Sequence, residues 1–427
     1  MAQFFERHQG GDRTLLVHLD LHEANPYEVV EEFELLADSA GAEIVRTIVV
    51  RRNSIEPKYF IGSGKAEEIR ELVAAEDVDV VIFNHSLTPA QERNLEQLFQ
   101  CRVLDRTTLI LDIFAQRARS HEGKLQVELA QLRHLSTRLI RGWTHLERQK
   151  GGIGLRGPGE TQLESDRRMI SLRIKQITKK LQKVDATRAL GRRARKRATV
   201  PTISLVGYTN AGKSTLFNRL ANESIYAADQ LFATLDPTLR SIKLPGGPDV
   251  VIADTVGFIR DLPHDLVKAF RSTLVETCEA DLLLHVIDTV HDDRQDHVYQ
   301  VNEVLSEIGA DQVPQLEIYN KIDLAESLEP RVDRNAEGEA VRVWLSAKSG
   351  EGIDLLLEVL TERYCGESVQ GTVFLLPHEG RLHAELYREG GVVSESLPEQ
   401  GGWKMEVELP RKTLDHLQIL ERITTKG

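Results

Sequence analysis

A glycine-rich loop between a strand-like and a helix-like segment constrains this chain more than any other feature. Residues 207–215 read Gly-Tyr-Thr-Asn-Ala-Gly-Lys-Ser-Thr, which fits the phosphate-binding pattern G-x-x-x-x-G-K-[ST] completely. The loop follows the apolar run 202–206 and precedes the helical stretch 216–220. Glycines let backbone N–H groups approach a pyrophosphate, and a helix start adds positive potential. Lys213 is therefore expected to reach the outer phosphates, and Ser214 to place its hydroxyl on Mg²⁺.

Two further motifs follow at the ends of predicted strands. The first is the D-x-x-G pattern Asp254-Thr255-Val256-Gly257, in which the Asp holds a water of the Mg²⁺ ion and the Gly N–H meets a γ-phosphate. The second is the N-K-x-D pattern Asn320-Lys321-Ile322-Asp323. Its Asp can accept two hydrogen bonds from guanine, whereas adenine offers neither donor at that edge.

A fourth motif, Ser346-Ala347-Lys348, follows the predicted strand 341–345, and its backbone can meet the guanine O6. A site built around such pairs rejects the wrong base, because its own polar groups would be left unpaired. The four motifs in this order predict a GTP site.

Composition indicates an ordinary soluble chain of several domains. It has 427 residues, of which 41% are hydrophobic and 28% charged. No apolar run approaches the roughly 18–20 residues of a membrane span, and the first residues show no secretory pattern. Cys101, Cys278 and Cys365 lack metal-ligand spacing and suit a reducing cytosol. We therefore expect a cytoplasmic protein without stable membrane insertion.

The net charge of −12 conceals a strongly basic segment. Residues 117–197 hold 22 Lys and Arg against 7 Asp and Glu. This segment therefore has a net charge of +15, and the rest of the chain has a net charge of −27. Such asymmetry is typical of a surface that meets a polyanion, although a solvated charged helix gives the same count.

The order of predicted elements indicates a multidomain α/β protein with four parts. Residues 1–118 alternate strand and helix, which predicts a parallel α/β domain. Residues 119–197 predict a basic helical hairpin, 198–366 a P-loop GTPase domain, and 367–427 a small α+β domain. The stretch 61–65 contains Gly-Ser-Gly-Lys but lacks the first Gly and the final Ser or Thr, so a tight strand-to-helix turn explains it better than a second phosphate loop.

The hairpin prediction rests on apolar residues at helical spacing. They are Leu125, Leu129, Leu132 and Leu139 in the first helix, and Ile170, Ile174, Ile177, Leu181 and Val184 in the second. Their linker, residues 150–164, is rich in glycine but is not a simple Gly/Ser repeat. It is either a plain flexible connection or, as we favour, a tip that presents backbone donors to a folded RNA.

Four segments closely resemble the HflX family of ribosome-associated GTPases, and the resemblance extends over nearly the whole chain. They are 59–69, 151–164 with Asp166-Arg-Arg168, 232–237 and 254–263. The glycine loop is highly specific to that family, whereas the phosphate loop alone is shared by many unrelated NTPases. The resemblance implies binding to the large ribosomal subunit and its RNA, separation of stalled or idle ribosomes, a link to heat stress, and a hairpin tip directed toward the peptidyl-transferase region. We expect a monomer that exchanges GTP and GDP.

The resemblance also implies a first switch at 232–236, with Thr234 completing the Mg²⁺ coordination begun by Ser214. Asn210 lies where related potassium-dependent GTPases coordinate K⁺, although an Asn there can also brace the loop. The expected catalytic residues are Lys213, Thr234, Gly257 and Asn210. The expected GTP-binding residues are Gly207, Tyr208, Thr209, Asn210, Ala211, Gly212, Lys213, Ser214, Thr215, Phe232, Ala233, Thr234, Leu235, Asp236, Asp254, Thr255, Val256, Gly257, Asn320, Lys321, Ile322, Asp323, Ser346, Ala347 and Lys348.

Ras-like GTPases often carry a water-positioning glutamine directly after D-x-x-G. Here that residue is Phe258, which cannot form the hydrogen bond. Intrinsic turnover should therefore be slow, with a partner correcting the switch geometry or supplying the missing group. Two alternatives to ribosome splitting stay open on the sequence: a GTPase serving RNA modification, and an RNA-remodelling ATPase or GTPase.

Base selection should depend on Asp323. In Asp323→Asn an amide donates where the carboxylate accepted, so affinity should shift from GTP toward xanthosine triphosphate. Because an unpaired group costs about 1–3 kcal/mol, the loss of GTP affinity should be about fivefold or more. Competition binding measures it. Equal affinity of the wild-type site for ATP and GTP would contradict the argument.

Overall fold

The structure, a computed structural model, describes residues 11–22, 25–142, 158–197, 200–222, 231–232, 234–235, 238–260, 263, 271–325, 327–365, 368–388, 390–398, 401–410, 414, 417, 419 and 422–425. These residues form two compact units. The first takes its residues from Met1–Gly191, Tyr226–Pro237 and Thr255–Val275, and the second from Arg192–Ile225, Thr238–Asp254 and Glu276–Gly427.

A parallel sheet with a helix after each strand begins the first unit. Its strand order is β2-β1-β3-β4, and every neighbouring pair is parallel, which confirms the predicted α/β domain. Helix α4 is an element that the sequence patterns do not predict. The bounds are β1 Arg13–Asp20, α1 Pro26–Ser39, β2 Glu43–Arg51, α2 Ser63–Ala75, β3 Val80–Phe83, α3 Pro89–Phe99, β4 Arg102–Asp105 and α4 Arg106–Arg117.

Both faces of this sheet are covered, because successive side chains of a strand point to opposite faces. On β1, Leu15 and Val17 belong to the apolar cluster that contains Ile69 of α2. Leu16, between them, belongs to a second cluster with Phe33 of α1 and residues of α4. The sheet therefore lies between two layers of helices, as parallel sheets do.

Gly62 and Gly64 lie at the start of α2, the first as the residue before the helix and the second within it. Gly62 has a φ of 95°, and an added Cβ would lie 1.9 Å from an arginine nitrogen. Gly64 lies within the helix, where a Cβ would meet nothing within 4 Å. The Lys65 ammonium donates to Glu68 Oε1 at 2.7 Å. The expected tight turn is wrong, because the loop 52–62 separates β2 from this helix.

Two long helices, α5 (His121–Gly142) and α6 (Pro158–Arg197), form the predicted hairpin. Glu122 pairs with Arg188 at 2.8 Å, and Glu128 pairs with Arg173 at 2.6 Å. Since one residue number rises as the other falls, the helices are antiparallel.

The hairpin core follows most of the predicted apolar seam. Its buried members are Leu125, Leu129, Leu132, Ile170, Ile177 and Leu181, with Leu135 and Ile174 partly buried against them. Val184 is half-buried. The side chain of Leu139 and residues 150–157 of the predicted linker 150–164 lie outside the described residues, whereas residues 158–164 were wrongly predicted as linker and belong to α6.

The second unit is built on a seven-stranded sheet of order β10-β11-β9-β8-β5-β7-β6. The inner strands are parallel, whereas the edge strands β6 and β10 are antiparallel to their neighbours. Of the strands and helices in this domain, the sequence patterns place only β5, β7, β9, β11 and α7. The bounds are β5 Thr202–Gly207, α7 Lys213–Ala221, β6 Thr238–Lys243, β7 Asp249–Asp254, α8 Arg271–Cys278, β8 Leu282–Asp288, α9 Arg294–Ile308, β9 Gln315–Asn320, a 3₁₀ turn Ile322–Leu324, β10 Arg331–Arg334, β11 Ala340–Trp344 and α10 Ile353–Cys365.

A small antiparallel sheet of order β13-β14-β12-β15 follows, as predicted for an α+β module. Its bounds are β12 Ser368–Leu375, α11 Gly380–Arg388, β13 Val392–Ser396, β14 Trp403–Pro410 and β15 Thr424–Thr425. Leu386 of the helix packs with Val373 and Met405 of the sheet. Most of the predicted helix 412–420 lies outside the described residues. Among the described helices, none combines the length and apolar character needed to cross a membrane.

A buried histidine should make the central sheet sensitive to acid. Burial on β8, and secondarily the charge of Lys213, lowers the pKa of His285 from 6.5 to about 4. Below pH 6.5 His285 binds a proton in the unfolded chain but stays neutral in the folded chain. The free energy of unfolding therefore decreases as the pH is lowered. The loss by pH 5 should be about 2 kcal/mol, and His285→Gln should remove it. Hydrogen exchange of the β8 amides at pH 7.5 and 5, corrected for intrinsic rates, measures it. Equal acid dependence in both proteins would contradict the assignment.

Candidate nucleotide site

The phosphate-binding loop has a backbone that only glycine fits at two positions. Gly207 ends β5 with a φ of 147°, and an added Cβ would lie 2.2 Å from the Val286 carbonyl oxygen. Gly212 has a φ of 96°, and its Cβ would lie 2.2 Å from Nδ2 of Asn320. Between them Thr209 and Ala211 are buried. The loop thus runs from the carboxyl end of a central strand to the start of α7, where parallel sheets bind ligands.

Lys213, the first residue of α7, is only 6% exposed. Its ammonium donates to the carbonyl oxygens of Gly207 at 3.0 Å and Tyr208 at 2.6 Å, so the side chain lies back along the loop. Burial lowers the pKa of Lys213 to about 8, and the nearby Asp254 charge opposes that shift. An anionic phosphate would favour the charged form of this group.

A hydroxyl and a carboxylate meet beside the loop. Ser214 Oγ donates to Asp254 Oδ2 at 2.9 Å. Asp254 ends β7, the strand next to β5, and is 3% exposed. Hard divalent ions such as Mg²⁺ prefer oxygen ligands, so this pair fits the ion that the sequence predicts. Thr215 follows within α7 and is half-buried.

The side chain of Asn320 joins two loops. Its Nδ2 donates to the Ala211 carbonyl at 2.8 Å, and its Oδ1 accepts from the Ala347 backbone N–H at 2.9 Å. The residue is 2% exposed. Asn320 therefore braces the phosphate loop and the Ser346 loop from the end of β9.

The predicted base-reading carboxylate is already oriented. Asp323 Oδ1 accepts from Ser346 Oγ at 2.6 Å, and Ser346 Oγ in turn accepts from the Ser349 N–H at 3.0 Å. Asp323 is exposed, while Ile322 before it is buried. Lys321, with a φ of 68°, pairs with the Asp288 carboxylate at 2.7 Å. The four residues of this motif thus turn their side chains in different directions.

Known protein families match this chain along most of its length. The family "GTP-binding GTPase N-terminal" matches residues 27–115, "GTP-binding GTPase Middle Region" matches 117–195, and "50S ribosome-binding GTPase" matches 202–321. A GTPase HflX of Escherichia coli is 57% identical over 95% of each chain. Those of Caldanaerobacter subterraneus and Magnetococcus marinus are 46% and 44% identical, over 91% of this chain and 89% and 90% of theirs.

The chain belongs to the HflX family of GTPases. It is therefore a GTP hydrolase, as the four motifs and the resemblance predict. The relatives are covered almost end to end, so the family assignment includes the N-terminal domain and the hairpin as well as the GTPase domain.

Two features of this HflX GTPase escape the motif patterns. Arg219 of α7 donates to the carbonyls of Ala347 at 3.4 Å and Lys348 at 2.6 Å, and so holds the predicted guanine loop. The ring of Tyr208 stacks on His297 of α9, with centroids 3.7 Å apart and planes at 6°. Helical spacing puts Arg219 on the face of α7 that carries Thr215, four residues earlier, but no sequence signal says which loop it meets.

The predicted switch segments of the HflX GTPase belong to the first unit. Phe232 and Leu235 are each 2% exposed, and Thr234 between them is half-buried. Ala233 and Asp236 lie outside the described residues. After Asp254, the residues Thr255, Val256, Gly257, Phe258 and Ile259 are all buried. Phe258 is thus an apolar core residue where Ras-like proteins carry glutamine.

Substitution of Gly212 and of Gly64 should distinguish the phosphate loop 207–215 from the similar stretch 61–65. In Gly212→Ala the new Cβ collides with Asn320, so GTP and GDP affinity should fall by about fivefold or more, since a strained or displaced brace costs about 1–3 kcal/mol. The matched control, Gly64→Ala, places its Cβ in open space and should leave affinity unchanged. Fluorescent-nucleotide titration measures both. Similar losses in the two variants would mean that residues 61–65 take part in nucleotide binding.

Proposed function

We propose that GTP binds with its phosphates in the loop 207–215 and its base between the segments 320–323 and 346–348. Lys213 contacts the outer phosphates, and Ser214 and Thr234 bind Mg²⁺. The Ser214–Asp254 hydrogen bond of 2.9 Å supports this ion site, because it gathers oxygen ligands beside the loop. Gly257 meets the γ-phosphate through its N–H.

Potassium beside Asn210 is a second ion in this proposal. Asn210 has a left-handed backbone with a φ of 59°, and its residue is exposed. Its side chain therefore lies outside the packed core, where an ion next to the phosphates could use its oxygen.

We propose that this GTPase works in the cytoplasm as a monomer that binds the large ribosomal subunit and its RNA. There it separates stalled or idle ribosomes into subunits, with a role in heat stress. The matching family over residues 202–321 carries the description "50S ribosome-binding GTPase", which supports the choice of subunit. The N-terminal domain and hairpin provide surface beyond what nucleotide hydrolysis requires.

The exposed basic side of α6 is the observation that carries this proposal. The helix turns Ile170, Ile177 and Leu181 into the hairpin core. Its outward side chains include six exposed cations: Arg167, Arg168, Lys175, Lys179, Lys180 and Lys183. In a chain with a net charge of −12, such a surface is directed at a polyanion rather than needed for solubility.

Nucleotide hydrolysis and ribosome binding belong to one cycle. GTP orders the segments that contain Thr234 and Gly257 through the γ-phosphate and Mg²⁺, and hydrolysis releases them. The residue after Gly257 is the buried Phe258, so a water-positioning glutamine is not supplied at that place. Contact with the ribosome is expected to complete the geometry and stimulate turnover.

Replacing the hairpin tip tests the ribosomal role. A protein in which residues 151–159 are exchanged for a short polar turn should keep its GTP affinity, since none of them belongs to a nucleotide motif. It should lose most subunit separation and ribosome-stimulated hydrolysis, because close approach to folded RNA needs small residues. Sedimentation of ribosomes with protein and a nonhydrolysable GTP analogue measures separation. Full separation by the tip-replaced protein at near-physiological salt would contradict the proposal.

The control exchanges charge and keeps the tip. Substituting Gln for the six exposed cations of α6 should reduce the dependence of ribosome affinity on salt, by about 0.7–0.9 in the log–log slope for each phosphate that the variant no longer neutralises. An unchanged slope would place recognition elsewhere in the chain.

A further inference from the structure

Arg106 connects the N-terminal domain to the segment that follows the D-x-x-G motif. It begins α4 and is 5% exposed. Its Nη1 donates to Asn84 Oδ1 at 2.7 Å, and its Nη2 donates to Glu32 Oε1 at 2.5 Å and to the Arg260 carbonyl oxygen at 2.8 Å. A buried guanidinium with a carboxylate partner and fixed hydrogen bonds keeps one geometry. The backbone at Arg260 is therefore held by a rigid group.

Arg260 is also held from α1. Glu32 Oε2 lies 3.5 Å from the Arg260 backbone nitrogen, and Glu28 Oε2 lies 3.4 Å from its Nη2. These two contacts are long and individually weak. Together with Arg106 they restrain the amide, the carbonyl and the side chain of one residue.

Apolar contacts anchor both switch segments to the same two helices. Val256, Ile259, Phe232 and Leu235 belong to the cluster that contains Phe33 and Leu36 of α1 and Ile110 and Phe114 of α4. The ring of Phe232 meets that of Phe114 edge to face, with centroids 4.7 Å apart and planes at 83°. Leu231 N–H donates to Ser39 Oγ at 3.1 Å. We call Glu32, Arg106 and Phe114, with their contacts to Arg260 and Phe232, the switch clamp.

The clamp reaches residues close to the chemistry along the chain. Arg260 is three residues after Gly257, a span of at most about 11 Å. Phe232 is two residues before Thr234. Catalytic geometry is sensitive to small displacements, since a 1 Å misplacement can cost about a hundredfold in rate. A restraint on Arg260 and Phe232 thus acts on the residues proposed to meet the γ-phosphate and Mg²⁺.

We propose that Glu32 and Arg106 are positioning residues that make the two switch segments part of the N-terminal domain. The inference rests on the proposed assignment of Thr234 and Gly257 to the switches. A change of the bound nucleotide then alters the dynamics of α1 and α4 through the clamp, although neither helix contains a nucleotide motif. By linkage, the same contacts set the preference of the site for GTP over GDP.

Hydrogen exchange of the full-length protein without ribosomes tests the coupling. In the wild type, a nonhydrolysable GTP analogue and GDP should give different exchange rates in α1 and α4. In Arg106→Gln and in Glu32→Gln this difference should disappear. The ratio of analogue to GDP affinity should change by about fivefold or more, while GDP affinity stays within about twofold. A variant that keeps both the exchange difference and the wild-type ratio would overturn the proposal, as would a wild type without the difference.

Two further variants guard against a trivial loss of folding. Arg138→Gln removes another mostly buried guanidinium of the first unit, whose partners are Glu92 and Asp105. It should lower the melting temperature and leave the exchange difference intact. Phe114→Leu removes the ring contact with Phe232 without touching Arg106, and should weaken the coupling. If Arg138→Gln abolishes the difference as fully as Arg106→Gln, the effect is general destabilisation and the clamp is refuted.

The variant Thr234→Ala tests the switch assignment separately from the clamp. If Thr234→Ala changes the preference for GTP analogue over GDP and the clamp variants do not, the switch assignment stands and the clamp fails. If Thr234→Ala has no effect, the assignment of the first switch fails, and the clamp cannot act in the way proposed.

Discussion

The buried amide of Asn320 is the contact on which the candidate nucleotide site depends. One end holds the Ala211 carbonyl of the phosphate loop, and the other receives the Ala347 N–H of the Ser346 loop. An amide is suited to this task because it donates and accepts in one rigid plane. The glycine at 212 is explained by the same contact, since any Cβ there would occupy the space of Asn320 Nδ2. Three separate sequence motifs are thus parts of one hydrogen-bonded assembly.

Around that assembly the charges are arranged to favour an anion and its cation. Lys213 is buried, with its pKa lowered to about 8, and is held by carbonyl oxygens of its own loop. Ser214 and Asp254 gather oxygen atoms beside it. A lysine kept in low dielectric gains more from a phosphate than an exposed one would, because water no longer screens the attraction. Arg219 extends the arrangement by holding the loop at Lys348.

Basic side chains have different roles in the hairpin and in the N-terminal domain. Basic residues of the hairpin are exposed along α6, where they remain hydrated until a polyanion approaches. Arg106, in contrast, is enclosed and neutralised by Glu32, so its charge serves to fix backbone rather than to attract a partner. The first arrangement suits recognition of a large charged surface, and the second suits the transmission of small movements between packed elements.

The sequence by itself determined the chemistry of the site and the class of the fold. Gly207, Lys213, Ser214 and Asp323 could be proposed as site residues because phosphate and guanine recognition each demand particular residue types at particular spacings within a local turn. Strand and helix periodicity gave the parallel sheets and the hairpin, since burial of one face is a local pattern. It missed the 12-residue helix α4 and several elements of the GTPase domain, among them β6, β8 and β10, and it expected a tight turn where the structure has the loop 52–62. Only the tertiary structure decided that Arg219 meets Lys348, or that Arg106 meets Arg260, 154 residues away. Such contacts join charged or polar groups from distant segments, and their partners depend on how the helices pack, which no local spacing encodes.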